Sequence, residues 1–412
     1  MTRVRRGTNV HALGGFNQIV ILDTIRRNRE GLSRVEIAEH TGLSAQTVSN
    51  VSRRLLDDGI IREAGQRILG VGKPRIILQL DPSGGYAIGV HLDPAVITYV
   101  VLDLDGRVVA HTATRTPSGV APERVIAGMS DSIDAIIADA GVDRSRVLGV
   151  GIAAPGPLDL EQGVVLDPPL LEGWHGVPLR DALAESTGLM VLLEKDVTAA
   201  TVAELWMSSG HERDDFMFFY YGTGVGVGLA IAHEAVRGAT NNAGDAGHLM
   251  VDPDGPVCSC GRRGCLGDAI MPRALVGGAL SSGLIAAPTG GLDGVGIDEG
   301  LGQLAALAAS GDAEASRVLE QMAGRIATAV VTVANLLDLD TVVFGGPYWN
   351  LVSPLVLARI AELVNSSDAL VTTHPIAVTV SAIGDDVAAV GAACLVLDDV
   401  LSPRPSALLI AT

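Results

Sequence analysis

Lysine is almost missing from this chain. Only Lys73 and Lys195 occur among 412 residues, and arginine carries nearly all the positive charge. Aromatic residues are scarce at 3 %, so the core must be assembled from Val, Ile, Leu and Ala. Cysteine occurs four times, which argues against a disulfide framework and for a reducing cytoplasm. No apolar run approaches the ~20 residues of a membrane span. The longest, Val387–Leu397, is bounded by Asp385-Asp386 and Asp398-Asp399. The opening MTRVRRGTNV is basic with no apolar stretch behind it, so no secretory leader is expected. What remains is a cytoplasmic globular chain, long enough for two or three domains.

Charge is present but unevenly divided. Residues 1–80 carry 13 Lys+Arg against 7 Asp+Glu, whereas the remainder carries 16 against 40. A basic N-terminal module on an acidic body points to a polyanion partner at that end alone.

Three of the four cysteines lie in one stretch, GDAGHLMVDPDGPVCSCGRRGCLGD, residues 244–268. Cys258 and Cys260 are one residue apart, Cys265 follows, and His248 precedes them by ten residues. Three thiolates and a neutral imidazole form a closed tetrahedral set that suits structural zinc. Gly261 and Gly264 supply the turns, and Arg262 and Arg263 place positive charge beside the thiolates.

In the basic module, Phe16–Asn28 reads as a helix with Phe16, Ile19, Val20 and Ile25 on one side. Ser33 and Glu36 form a capping box that starts a second helix, which stops at Thr41-Gly42-Leu43. Ser44 caps a third, AQTVSNVSRRLLDDG. The 3.6 period turns Val48, Val51, Ser52 and Leu55 inward, and Gln46, Thr47, Asn50, Arg53 and Arg54 outward. This is a helix-turn-helix whose last helix would enter the major groove of DNA. Strands Ile60–Ala64 and Arg75–Leu80 flank a glycine-rich basic loop, a wing that offers Arg67, Lys73 and Arg75 to phosphates or the minor groove.

After Pro82-Ser83-Gly84-Gly85, read as a linker, three apolar segments at 86–92, 95–104 and 107–113 form a meander. Alternating helices and strands follow to about residue 207, and the same order restarts at Phe216–Tyr221. Two such copies predict two α/β lobes with a cleft between them.

GDAGH followed by CxCGxxGC resembles the signature of the ROK family (repressors, open reading frames and sugar kinases), whose histidine and three cysteines hold zinc. The stretches 149–159, 173–189, 222–231, 341–347 and 385–397 resemble further family motifs in matching order. The winged module resembles that of its repressors, of the N-acetylglucosamine/xylose type, and family kinases lack it. The resemblance implies an α/β architecture: an N-terminal winged helix-turn-helix, then a two-lobed sugar kinase/actin-like ATPase (ribonuclease H-like) body with a zinc knuckle. The expected division is 1–82 for DNA binding, 83–210 for the first lobe, 211–400 for the second with zinc loop 244–268, and 401–412 for a tail.

Measured against the family's kinases, the nucleotide loop GVDLGGTK is altered. Here it reads Gly89-Val90-His91-Leu92-Asp93-Pro94-Ala95, where Pro94 lacks an N–H and Asp93 would repel phosphate. Asp196 occupies the position of the family's catalytic base. Lys195, Asp245 and Gly267 stand where its sugar-binding groups stand. Lys195, Asp196, Asp245 and His248 are the candidate ligand pocket. Lys195 would either face an anionic ligand or pair with Glu194 or Asp245.

The reading is therefore a transcription regulator, a repressor, with no catalytic residue assigned. It would bind a pseudo-palindromic DNA operator as a dimer or tetramer and sense a sugar or sugar derivative. Two alternatives stand beside it: an ATP-dependent sugar kinase with an added DNA-binding domain, and a regulator whose pocket is vestigial.

Overall fold

The computed structural model describes residues 10–68, 74–207, 214–289, 291–292 and 294–402, with side chains from residue 15 onward. Lys73 and the tip of the wing, the expected lobe boundary at 210/211 and the tail from 403 onward lie outside the described residues. Among the described residues no helix is long and apolar enough to cross a membrane.

The N-terminal module contains α1 (Val10–Arg27), β1 (Leu32–Ser33), α2 (Arg34–Thr41), α3 (Ala45–Asp57), β2 (Ile61–Arg67) and β3 (Arg75–Leu80). The capping box is present: Glu36 Oε2 accepts the Ser33 N–H at 2.7 Å, and Ser33 Oγ accepts the Glu36 N–H at 3.4 Å. Gly42 closes α2 at φ +69°, a left-handed position where glycine costs least. Ser44 Oγ caps α3 through the Thr47 N–H at 3.1 Å. As expected, Val48, Val51, Ser52 and Leu55 are buried. The inward face of α1 differs from the expectation. Ile21, Leu22 and Ile25 are buried, while Phe16, Ile19 and Val20 are half-buried. The helix packs on the body's last helix as well as on its own module, and that second contact selects the face.

The first lobe comprises β4 (Tyr86–Leu92), β5 (Val96–Asp103), β6 (Val108–Arg115), α4 (Pro122–Asp139), β7 (Val147–Ala154), β8 (Leu158–Asp159), β9 (Val164–Val165), α5 (Leu179–Thr187), β10 (Val191–Lys195) and α6 (Asp196–Met207). The second comprises β11 (Phe216–Tyr221), β12 (Val225–Ile231), β13 (Glu234–Ala235), α7 (Leu266–Ile270), α8 (Pro272–Ser281), α9 (Gly294–Ala309), α10 (Ala313–Leu337), β14 (Thr341–Gly345), α11 (Trp349–Asn365) and β15 (Ala377–Val380), and α12 (Val387–Leu401) follows it. Their sheets run β10-β7-β4-β5-β6 and β13-β12-β11-β14-β15. In each, an antiparallel meander joins two parallel strands, so the second lobe repeats the topology of the first. Ligands in such sheets bind beyond the carboxyl ends of the parallel strands.

Although last among the described elements, α12 lies on the first sheet. A Cβ at Gly89 or Gly151 would come within 1.9 or 1.8 Å of the Ala389 or Ala392 carbonyl oxygen, so glycine in β4 and β7 lets the helix touch the strands. Pro82-Ser83-Gly84 forms a pinned turn. Asp81 N–H donates to the Ile60 carbonyl at 2.9 Å, and Arg146 donates to the Ser83 carbonyl at 2.7 Å. The module's core therefore continues into the body's: Ile21, Leu22 and Ile25 share one cluster with Trp206 and Leu401.

Candidate functional site

The four expected metal ligands meet. His248 Nδ1 lies 3.4 Å from Cys258 Sγ, Cys260 Sγ lies 3.7 Å from Cys265 Sγ, and all four ligand atoms fall within 4.8 Å of one another. Bond lengths of about 2.3 Å for zinc–sulfur and about 2.0–2.1 Å for zinc–nitrogen give tetrahedral edges of roughly 3.5–3.8 Å. The donor set and these spacings fit the ion. Gly264 is required here, because a Cβ would meet the Asp252 carbonyl oxygen at 1.5 Å. The Arg262 backbone N–H holds the Cys260 thiol down to about 6. The neighbouring Asp268 pushes the Cys258 thiol up. One support was not foreseen from the sequence. Arg325 of α10 grips Asp252 through Nε at 3.0 Å and Nη2 at 2.8 Å, and it reaches the Ala269 carbonyl at 2.9 Å.

At the cleft, Lys195 is 7 % exposed, and its Nζ donates to the carbonyls of Asn242 at 3.1 Å and Ala243 at 3.2 Å. It is not in the salt bridge weighed from the sequence. Glu194 accepts from Arg237 Nε at 2.6 Å instead, and exposed Asp245 accepts the Gly247 N–H at 3.2 Å. The loop holding Lys195 is clamped to the first lobe by Asn242, which accepts the Leu158 N–H at 2.7 Å and donates to its carbonyl at 2.8 Å. Asn242 and Arg237 carried no motif in the sequence. Asp196 opens α6 and accepts the Val197 N–H at 2.7 Å. Burial raises its carboxyl above the usual range, against the opposing pull of His91, the Val197 N–H and Lys195. His248 turns Nδ1 to the metal cluster. Buried His91 stands edge-on to Tyr220 at 6.1 Å between ring centroids.

The wing and α3 present the expected DNA-facing groups unevenly. Gln46, Asn50, Arg53 and Arg54 are exposed and Thr47 is half-buried. Gln46 Nε2 donates to Asn50 Oδ1 at 3.0 Å, which holds two amides as one unit. Arg54 leans back to Gln18 of α1 at 3.4 Å. Arg67 faces Arg75 across the wing and donates to the Glu30 carbonyl at 3.4 Å.

A winged helix-turn-helix module fixed to a two-lobed α/β body with a Cys₃His cluster is thus the class of this molecule. Residues 87–399 match the profile of the ROK family, and residues 17–62 match one described as winged helix-turn-helix DNA-binding. The chain belongs to the ROK family. It is similar to a putative xylose repressor of Caldicellulosiruptor sp. (strain Rt8B.4), with 26 % identity over 393 residues, 94 % of this chain and 96 % of that one. The crystal structure of a ROK family transcriptional regulator, a homologue of the E. coli MLC protein, superposes with a TM-score of 0.76 at 22 % identity. That match covers 95 % of this chain and 98 % of that one, and it is a likeness of fold. A ROK family glucokinase from Streptomyces griseus in complex with glucose and AMPPNP matches 76 % of this chain and 99 % of its own, at 29 % identity and a TM-score of 0.62.

Proposed function

We propose that the protein is a DNA-binding transcriptional repressor whose two-lobed body senses a sugar or sugar derivative. The observation that carries this reading is the course of α6 and α12. The first begins at Asp196 in the cleft, the second just after Asp386, and both end beneath the DNA-binding module. Twelve and fifteen residues make rods of about 18 and 22 Å. They touch at backbone distance, since a Cβ at Gly391 would lie 1.9 Å from the Ala199 carbonyl oxygen. A ligand that favours one lobe closure would tilt this pair and move the module, provided it binds the two closures with different affinity.

In this reading Gln46, Thr47, Asn50 and Arg53 meet base edges and phosphates, with Arg54, Arg67, Lys73 and Arg75 along the backbone. Two copies of the chain would match a pseudo-palindromic operator. Lys195, Asp196, Asp245 and His248 line the ligand side, and Asp196 serves as a hydrogen-bond acceptor with no phosphoryl transfer. His248, Cys258, Cys260 and Cys265 hold structural zinc, suited to a reducing cytoplasm. The proposed domains are 1–82, 83–210 and 211–400, with α12 of the last returning to the first lobe's sheet.

The test is fluorescence-anisotropy binding of zinc-loaded protein to its own promoter-region DNA, with and without neutral sugars, sugar acids and sugar phosphates. Salt-sensitive binding that one compound class shifts is expected. Arg53→Ala should reduce the salt slope by about one, and Gln46→Ala should weaken discrimination between operator variants. No sequence-specific binding at any salt would overturn the reading. Lys195, already spent on two carbonyls, favours a second reading with a vestigial pocket; binding that no compound shifts would select it.

A further inference from the structure

At the turn after β4 the two lobes are joined by a carboxylate. Asp93, at the turn after β4, is 8 % exposed. Its Oδ1 accepts the Thr223 hydroxyl of the second lobe at 2.7 Å and its own turn's Ala95 N–H at 2.8 Å. The Thr116 hydroxyl holds the Asp93 carbonyl at 2.6 Å from behind. The second lobe closes over the same turn: a Cβ at Gly294, the first residue of α9, would meet the Ala95 Cβ at 2.7 Å.

The surroundings are acidic. α6 starts at Asp196, α11 is capped by Tyr348, and α12 by Asp386. Asp93, Asp196, Tyr348 and Asp385 all add negative charge around the buried hydroxyl of Tyr220 and, after burial itself, push it well above its ordinary range. A phosphate brought among these carboxylates would meet like charge. Backbone donors are already committed there, as the Gly222 N–H donates to the Gly224 carbonyl at 3.0 Å.

We propose that Asp93 is a built-in anion at this position: it clasps Thr223 across the cleft, holds the two lobes together at their base without a nucleotide, and keeps nucleotide phosphates out. The clasp sets the resting closure from which a ligand must move the lobes, and in that sense it rests on the sensor reading above. Its test uses no DNA, so either can fail while the other stands.

The experiment compares full-length, zinc-loaded wild type with Thr223→Val, Thr223→Ser and Asp93→Ser. Hydrogen exchange is followed in residues 91–95 and 222–228, and inorganic pyrophosphate and MgADP are titrated calorimetrically. Thr223→Val keeps the shape and removes the hydroxyl, so exchange in both segments should rise about tenfold. Thr223→Ser keeps the hydroxyl and should exchange like wild type. Asp93→Ser should loosen the same segments and gain pyrophosphate binding that wild type lacks. If Thr223→Val exchanges no faster than Thr223→Ser, the clasp is wrong. Pyrophosphate or MgADP binding to wild type, or no gain in a folded Asp93→Ser, would overturn the exclusion.

Discussion

The Arg26 guanidinium of the DNA-binding module lies 4.9 Å from the centroid of the Trp206 ring of the body. Trp206 is one residue from the end of α6, whose first residue is Asp196 in the cleft. Asp23 orients Arg26 through a 2.7 Å ion pair. A cation–π contact therefore joins the module to the helix that begins at Asp196.

Weakening that contact should uncouple the two ends. Arg26→Gln is expected to keep most of the DNA affinity while reducing the effector's shift of the DNA Kd by about threefold or more. Anisotropy titrations with and without effector measure it. A variant that keeps the full shift would show that coupling runs elsewhere.

Metal removal should act on the knuckle first. Chelation is expected to lower the melting temperature by several degrees, because a tightly held ion at ~100 times its Kd contributes about 2.7 kcal/mol. Cys260→Ser should copy the effect at one ligand. Released zinc would be measured colorimetrically against scanning calorimetry, and equal melting with and without the ion would refute a structural role.

Lys195 donates to two part-buried carbonyls on a loop that Asn242 ties to the first lobe. Lys195→Met leaves both acceptors without their donor and should cost about 1–3 kcal/mol in urea denaturation. A variant as stable as wild type, but blind to anionic ligands, would assign the ammonium to ligand binding instead.

Burial raises the Asp196 carboxyl above its ordinary 3.8. An acid raised by folding binds its proton more tightly when folded. Its contribution is fully present below 3.8 and is lost as pH rises through the folded value. Asp196→Asn should therefore melt higher than wild type at neutral pH, with the gap closing on acidification. A pH-independent gap would point to packing in place of titration.

Local signals were legible in the sequence. The Ser33/Glu36 capping box, the Ser44 cap, the inward stripe of α3 and the Cys₃His spacing each act within a few residues, and each formed where expected. So did the repeated order of strands and helices in the two lobes. The choices made between distant segments were not legible. Which partner Lys195 takes was settled by a loop 47 residues on. The Asp252 grip comes from Arg325, 73 residues away, and the Asp93–Thr223 bond spans 130. The buried face of α1 was turned by its contact with α12, the far end of the described chain. Side-chain type and short-range geometry decide caps, turns and ligand spacing, because the backbone between the groups is short enough to constrain them. A hydrogen bond across the cleft depends on how two lobes stack, and only the tertiary structure decides that.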